Sequence, residues 1–424
     1  MHIGEKLDAI YRDLSANVTR IYERDNVHLA IDLVYHSPLS FYFGNRFISK
    51  GNVECLIVGD TRCGKSETAD RLLQHYKLGA ISSGENTSFS GLVGGLQQIH
   101  GRWTITWGKI PLNHKRLLII DEVSGLPVED IANMSQIRSS GVAEITKIQT
   151  ERTLAKARLV WLSNPRTNRA VNDFNSGVEL IRDVIGKPED IARFDFAIVV
   201  AKGDVNYANI PNRDKEKVPH TFTSDLCRDL ILWCWSRSPE QVKFSAATMD
   251  ACYEHADALC DKYSSDCPIV NASEQKIKLA RMAAGLAGRL FSTSDGDDMV
   301  VLPAHVEYVA RFLDTEYSRP AFGYDIFSNQ RREDNNITDF DKVMEVVHNM
   351  GIPVAKQLLD TNQIKLQDIE ELMGCDRDQA KSALSTLLKL GAFNKRINGY
   401  VKTAAFISLL KGYITKKIVV KEEF

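Results

Sequence analysis

Residues 53–73 read VECLIVGDTRCGKSETADRLL. Within them Gly59, Asp60, Thr61, Arg62, Cys63, Gly64, Lys65 and Ser66 spell the phosphate-loop pattern GxxxxGK[ST]. An apolar run precedes the loop and a helical pattern follows it, which is the context this pattern requires. Backbone N–H groups of the loop, and of the helix start through Glu67, would cradle the phosphates of ATP. Lys65 would reach the β and γ phosphates, and Ser66 would ligate Mg2+. Asp121 and Glu122 end a second apolar run, LLIIDE. Brought beside the loop, Asp121 would hold the magnesium shell and Glu122 would orient or deprotonate the attacking water. Asn164 ends a third run, RLVWLSNP; it either fixes that water or only forms a turn before Pro165. In ARFD, Arg193 precedes a fourth run. It suits a transition-state finger presented to a neighbouring subunit, or a surface ion pair with Asp195. Cys63 lies inside the loop, where oxidation would block nucleotide binding.

Apolar strands alternating with helical segments predict an α/β fold with a parallel, doubly wound sheet. The four runs start near residues 53, 117, 158 and 194. Residues 1–44 read as an N-terminal helical segment and 45–205 as the nucleotide-binding core. Residues 206–320 show apolar steps of three and four, as in LILWCWSR and KIKLARMAAGLAGRLF. Residues 321–336 are polar and break that periodicity, so they read as a linker. Residues 337–424 form a further unit.

The chain has 424 residues, 44% of them hydrophobic, and a net charge of -2. It has no global basic field, so any nucleic-acid contact must come from local patches. The eight cysteines show no CxxC pair, which favours ordinary reduced thiols over a zinc site. No apolar run reaches the ~18 residues of a membrane span, and the N-terminus MHIGEKLDAIYRDL lacks an apolar signal core. A cytoplasmic protein is expected.

The segment between the loop and Asp121 contains SSGENTSFSGLVGGLQQIHGRWTITWGK. It resembles the helix-2 insert, a β-hairpin, of the minichromosome maintenance (MCM) helicases, a clade of AAA+ ATPases. GVAEITKIQTERTLAKARLVWLSNP is similar to the family's second hairpin, which lies before the sensor asparagine and carries a lysine near its tip; Lys147 matches. IARFD matches the family's arginine-finger motif, with Ala192 where serine is usual. YERDNVHLAIDLV resembles the start of the ATPase module, and the helices of residues 206–320 resemble its lid. The likeness covers roughly residues 20–320. There are departures. Gly64 stands where cellular members have alanine. Glu274 falls near the sensor-2 arginine position, with Lys276 and Arg281 as basic alternatives. The family's large N-terminal DNA-binding domain has no counterpart before the loop, as in short versions carried by phages and mobile elements, or in a truncated chain.

The resemblance implies an ATP-driven DNA helicase or translocase working in replication as a homo-oligomeric ring, a hexamer. Two hairpins per subunit would line its channel, with Lys147, Arg102 and His100 near DNA phosphates and Arg152 adding positive charge. A protein-remodelling AAA+ ATPase of the MoxR or chelatase type, or a replication initiator or loader, is the alternative. In residues 337–424, IKLQDIEELMGCDRDQAKSALSTLLKLGAF reads as two helices with a turn at Gly374 to Asp376. Ile369, Leu372, Met373, Ala380, Ala383, Leu384, Leu387 and Leu388 would line the buried faces. AFNKRINGYVKT then reads as a hairpin turning at Asn398 and Gly399. Together they resemble the winged-helix domain at the family's C-terminus. Lys381, Lys389, Lys395, Arg396 and Lys402 are its candidate DNA contacts. Acids at the start of the second helix argue instead for a regulatory role.

Overall fold

A computed structural model describes residues 2–100, 102–147, 150–166, 169–334, 340–361, 364–374, 376–396 and 399–419. The chain divides into two compact units, Met1–Phe327 and Ser328–Phe424. Among the described residues no helix is long and apolar enough to cross a membrane.

The first unit is built on five parallel strands. Their spatial order is Phe196–Val200, Glu54–Gly59, Arg158–Ser163, Leu117–Asp121 and Ala80–Ser83. Every residue of Glu54–Gly59, Arg158–Ser163 and Phe196–Val200 is buried. Parallel strands covered on both faces need continuous apolar sequence, which is why these runs do not alternate. The strand Arg158–Ser163 lies between the loop strand and the acidic strand, so three chemistry-bearing turns leave one edge of the sheet side by side.

Helices cover the sheet. Asp25–Tyr35 packs on Gln275–Arg289 and on the strands. The approach is close: a Cβ at Gly285 would stand 2.5 Å from the Leu33 carbonyl oxygen, and one at Gly288 2.7 Å from that of His36. Residues 206–320 hold the helices Ser224–Trp235, Ala246–Lys262, Gln275–Arg289 and Pro303–Tyr317. They also hold a short parallel pair, Val242–Phe244 with Met299–Val301, too short to show a period in sequence.

Two antiparallel hairpins leave the core. Gly94–Ile99 pairs with Arg102–Trp107, and Val142–Thr146 pairs with Thr150–Leu154.

The segment read as a linker is structured over most of its length. Tyr324–Asp334 is a helix. Tyr324 is fully buried, and its hydroxyl donates to the carbonyls of Ser264 and Cys267 at 2.6 Å each. Phe327, one turn on, is 8% exposed. Two anchors at i and i+3 dock the helix although, apart from the exposed Ile326, its remaining residues are polar. Residues 335 and 336 lie outside the described residues.

The second unit has its own core, formed by Val343, Val347, Leu358, Ile364, Ile369, Leu384, Leu387, Phe393, Phe406 and Leu410 with others. Its elements are the helices Phe340–Asp360, Leu366–Met373, Arg377–Lys389 and Ala404–Val419, and an antiparallel pair, Phe393–Arg396 with Gly399–Lys402. The first helix breaks at Gly351, with φ of 79° and Pro353 just beyond. Asp376 caps Arg377–Lys389 by accepting from the N–H groups of Asp378 and Gln379. Ala380, Leu384 and Leu387 are buried, and Ala383 and Leu388 are partly so. The side chains of Leu372, Met373, Lys395 and Arg396, and the residues Cys375 and Asn398 of the two expected turns, lie outside those described. Lys402 is not available to a ligand. It is 9% exposed, and its ammonium is spent on the carbonyls of Leu358 and Leu359.

Candidate active site

Gly59 ends its strand against the neighbouring strand, where a Cβ would fall 2.0 Å from the Val200 carbonyl oxygen. Only glycine fits. Gly64 has φ of 84°, and it opens the helix Lys65–Tyr76. The first N–H groups of that helix have no partner within it and face the loop. Asp60 does not line the phosphate cradle with its side chain. Its carboxylate is buried and accepts from the N–H groups of Val171 (2.9 Å) and Lys202 (3.0 Å), tying the loop to two later turns. Thr61, Arg62, Ser66 and Glu67 are exposed, Arg62 has φ of 62°, and Glu67 pairs with Arg71 at 2.8 Å along the helix.

Lys65 is the buried centre of the site. Its ammonium donates to the carbonyls of Gly59 (2.9 Å) and Asp60 (2.6 Å) and to Asn164 Oδ1 (3.0 Å). Burial pushes its pKa down to about 8, against nearby acids including Asp121.

Asp121 and Glu122 leave the adjacent strand. Asp121 Oδ1 accepts from the Glu122 N–H at 2.8 Å. Glu122 turns into the left-handed region with φ of 54°, and its Oε2 accepts from Ser83 Oγ at 2.6 Å. Ser66 and Asp121 offer the hard oxygen donors that suit Mg2+, with the balance left to phosphate oxygens and water. Cys63 is buried and its thiol is raised, chiefly by burial. A protonated, covered thiol is a poor redox sensor.

Arg193 stands elsewhere. Asp195 N–H donates to the Glu54 carbonyl at 2.9 Å, so Arg193 lies at the edge of the sheet where the strands begin. The loop leaves the opposite edge. The six residues of Glu54–Gly59 separate the two by roughly 20 Å. Arg193 does not pair with Asp195, which is buried and bound to Arg281 at 2.8 Å. Its guanidinium donates instead to Ser135 Oγ (3.0 Å) and Ser139 Oγ (2.8 Å), with Asp190 at 3.8 Å. Of the basic lid candidates, Arg281 is used on Asp195 and on the Lys50 carbonyl, and Lys276 lies over the Tyr253 ring. Glu274 is exposed, 4.0 Å from Arg281.

Four contributors are not visible as motifs. Ser83 holds Glu122. Ser135 and Ser139 hold Arg193. Arg24, 3% exposed, donates to the Ala201 carbonyl at 2.7 Å, lies 3.5 Å from Asp204, and acts electrostatically on both Cys63 and Lys65.

On the hairpins, His100, Arg102 and Lys147 are exposed. Arg152 is drawn into a cross-strand ion pair with Glu144 at 3.0 Å, which cancels the charge expected of it.

Residues 3–209 match the family description MCM P-loop domain. The DNA replication licensing factor MCM6 of Oryza sativa subsp. indica is 22% identical over 344 residues, covering 76% of this chain and 40% of that protein. The chain therefore spans less than half the length of this relative. With a phosphate loop, an acidic strand end and a polar strand end gathered at one edge of a parallel sheet, the chain is an MCM-like AAA+ protein.

Proposed function

We propose that the chain is an ATP-hydrolysing motor that assembles head to tail into a ring, a hexamer, and translocates on DNA in replication. The observation that carries this reading is the separation of Lys65 and Arg193 to opposite edges of one sheet. An arginine that cannot reach its own phosphate loop can reach a neighbour's, and such a heterologous contact closes into a ring. Lys65 and the loop N–H groups bind the phosphates. Ser66 and Asp121 hold Mg2+, which neutralises charge developing on the phosphates. Glu122 takes the proton of the attacking water, and Asn164 positions that water. Arg193 of the adjacent subunit stabilises the transferring group.

The two hairpins carry the work. Lys147, Arg102 and His100 are exposed cations that suit DNA phosphates. The second unit's helices and antiparallel pair suit a winged helix, with Lys381 and Lys389 exposed on its second helix. Lys395 and Arg396 remain candidate contacts there. The test is ATPase rate with and without single-stranded DNA, followed by strand displacement on forked DNA with a 3′ or a 5′ tail. Stimulation and unwinding are expected. An ATPase indifferent to DNA that unfolds a protein substrate would establish the remodelling alternative.

A further inference from the structure

The two hairpins meet where a Cβ at Gly94 would stand 2.9 Å from Ile145 Cδ1. On the first hairpin, alternation puts Trp103, Ile105 and Trp107 on one face, opposite Gln98, Leu96 and Gly94 in register. Ile105 is buried and Trp107 half-buried, while Trp103 is 45% exposed. On the second hairpin Ala143 and Ile145 share a buried face, and Lys147, one residue beyond the strand, is exposed. The packed face of the first hairpin thus runs outward to an exposed indole, and an exposed ammonium stands in the turn region of the second. Arg102 precedes Trp103 in the strand and so lies on the other face of the hairpin, and His100 stands at the turn. Among the described residues no carboxylate is paired with His100, Arg102 or Lys147. Glu144 is neutralised by Arg152, and Glu151 is an exposed acid across from Ile145.

We propose that Trp103 is a stacking platform for one unpaired base of single-stranded DNA, with Arg102 and Lys147 on the flanking phosphates. The inference rests on the DNA-translocase reading above and adds how a base is gripped. An exposed apolar ring on a pair of touching hairpins that also carry unpaired cations fits a ligand that is planar and anionic together, and a nucleotide strand is both. The strand must be single, because in a duplex both faces of each base are already stacked. The grip is sequence-tolerant, since every base has a π face. Base stacking and phosphate contact also respond differently to salt. Removing a cation makes the salt dependence shallower; removing a stack lowers affinity at every salt concentration alike.

The experiment measures fluorescence anisotropy of labelled oligo-dT, and of an abasic strand with the same number of phosphates, over a salt series. The assembled parent is compared with Trp103→Ala, Trp103→Phe and Lys147→Ala, with assembly followed by size exclusion. Trp103→Ala is expected to weaken oligo-dT binding on the order of ten-fold with an unchanged salt slope. Trp103→Phe should recover most of the loss. Lys147→Ala should reduce the slope by about one. The parent should bind the abasic strand as weakly as Trp103→Ala binds oligo-dT, which needs no variant to fold. A Trp103→Ala assembly that binds oligo-dT like the parent, or a parent that binds both strands equally, overturns the stack while leaving the translocase reading in place. Loss of assembly in Trp103→Ala, with DNA binding lost in proportion, makes the indole a seat for a neighbouring chain and overturns it as well. A parent that binds neither strand overturns the DNA reading itself.

Discussion

Lys65 Nζ and Asn164 Oδ1 are joined by a 3.0 Å hydrogen bond across two adjacent strands of the central sheet. Two backbone carbonyls, of Gly59 and Asp60, take the other N–H groups of the ammonium. A lysine has three donors, so all are engaged. A phosphate that claims one of them displaces an acceptor, and Asn164 is the only one of the three able to swing away on a side-chain torsion. The same move would free its amide to hold water. Asn164→Ala is therefore expected to keep nucleotide binding within a few-fold of the parent while hydrolysis falls about 10²-fold. Isothermal titration and steady-state ATPase assays check the pair of values. A large loss of binding with intact turnover would make Asn164 a binding residue only.

The buried ammonium gives a pH signature. Burial holds Lys65 down at about 8, and an adjacent phosphate raises it again by favouring the charged form. Below pH 8 the group is protonated with or without nucleotide, so affinity is flat. Above pH 8 binding must take up a proton, and affinity falls by up to about ten-fold per pH unit. Calorimetry in buffers of different ionisation enthalpy should show up to one proton taken up near pH 9 and none near pH 6.5. The Lys65→Arg variant, always charged, should lose this pH dependence even where its affinity is lower.

Ser83 and Glu122 form the other tight contact of the site, at 2.6 Å. The hydroxyl donates to the carboxylate and ties up one of its two oxygens. Glu122→Gln cannot accept a proton and should bind ATP yet hydrolyse it about 10²-fold or more slowly. Ser83→Ala leaves the carboxylate in place and unrestrained, so its basal ATPase should be at or above the parent rate. Pre-steady-state hydrolysis in both variants decides the assignment; a Glu122→Gln chain turning over at the parent rate would move the base elsewhere.

Arg193 should act between subunits. Arg193→Ala and Lys65→Ala chains are each expected to be inactive. Mixed assemblies should regain activity, because some interfaces then join an intact loop to an intact arginine. The readout is ATPase activity against mixing ratio, with mixing established by differently tagged chains. Flat activity at every ratio would return Arg193 to a structural role on Ser135 and Ser139.

What was legible in sequence follows from where its physical cause lies. The four long strands show as continuous apolar runs, because central parallel strands are buried on both faces. Lys65, Asp121, Glu122 and Asn164 could be singled out because each sits at the end of such a run. Ser83 could not: it is 39 residues from Glu122 and ordinary in its own surroundings. Arg138, Arg158 and Lys278 are buried charges. Arg138 pairs with Glu54 at 2.6 Å, Arg158 donates to the carbonyls of Ser37 and Lys115, and Lys278 donates to that of Ile269. Pairings of this kind are set by tertiary approach, which no local period encodes. Residues 321–336 carry the pattern of a linker, although they include the helix Tyr324–Asp334, for a related reason. Two anchors among nine mostly polar residues leave too faint a stripe to see.

The buried ion pair between Arg289 and Asp32 should be costly to break. Arg289 Nε lies 2.7 Å from Asp32 Oδ2, both side chains almost fully covered, and Tyr76 donates to Oδ1 at 2.8 Å. The pair joins the helix Asp25–Tyr35 to Gln275–Arg289. Asp32→Ala leaves a buried guanidinium without its counter-charge and should destabilise the first unit by about 3–5 kcal/mol. Urea denaturation followed by tryptophan fluorescence measures it. Replacing both partners, Asp32→Leu with Arg289→Met, should recover much of the loss, since the stranded charge is gone.

The last prediction separates the motor from the second unit. The phosphate loop, Asp121, Glu122, Asn164, Arg193 and both hairpins all belong to the unit Met1–Phe327, which has one continuous hydrophobic core. The second unit has a separate core of its own. A chain ending at Asp334 keeps the helix Tyr324–Asp334 with its buried Tyr324 and Phe327 anchors. It is expected to fold, assemble and hydrolyse ATP at a rate within a few-fold of the parent, with altered stimulation by DNA. If the second unit contacts DNA through Lys381 and Lys389, the truncated chain should also show a shallower salt dependence of DNA binding. If it regulates the ring instead, the slope should stay as in the parent while basal turnover shifts. Size exclusion, ATPase and anisotropy on the one truncation distinguish these outcomes, and a monomeric or inactive product would make the second unit part of the motor.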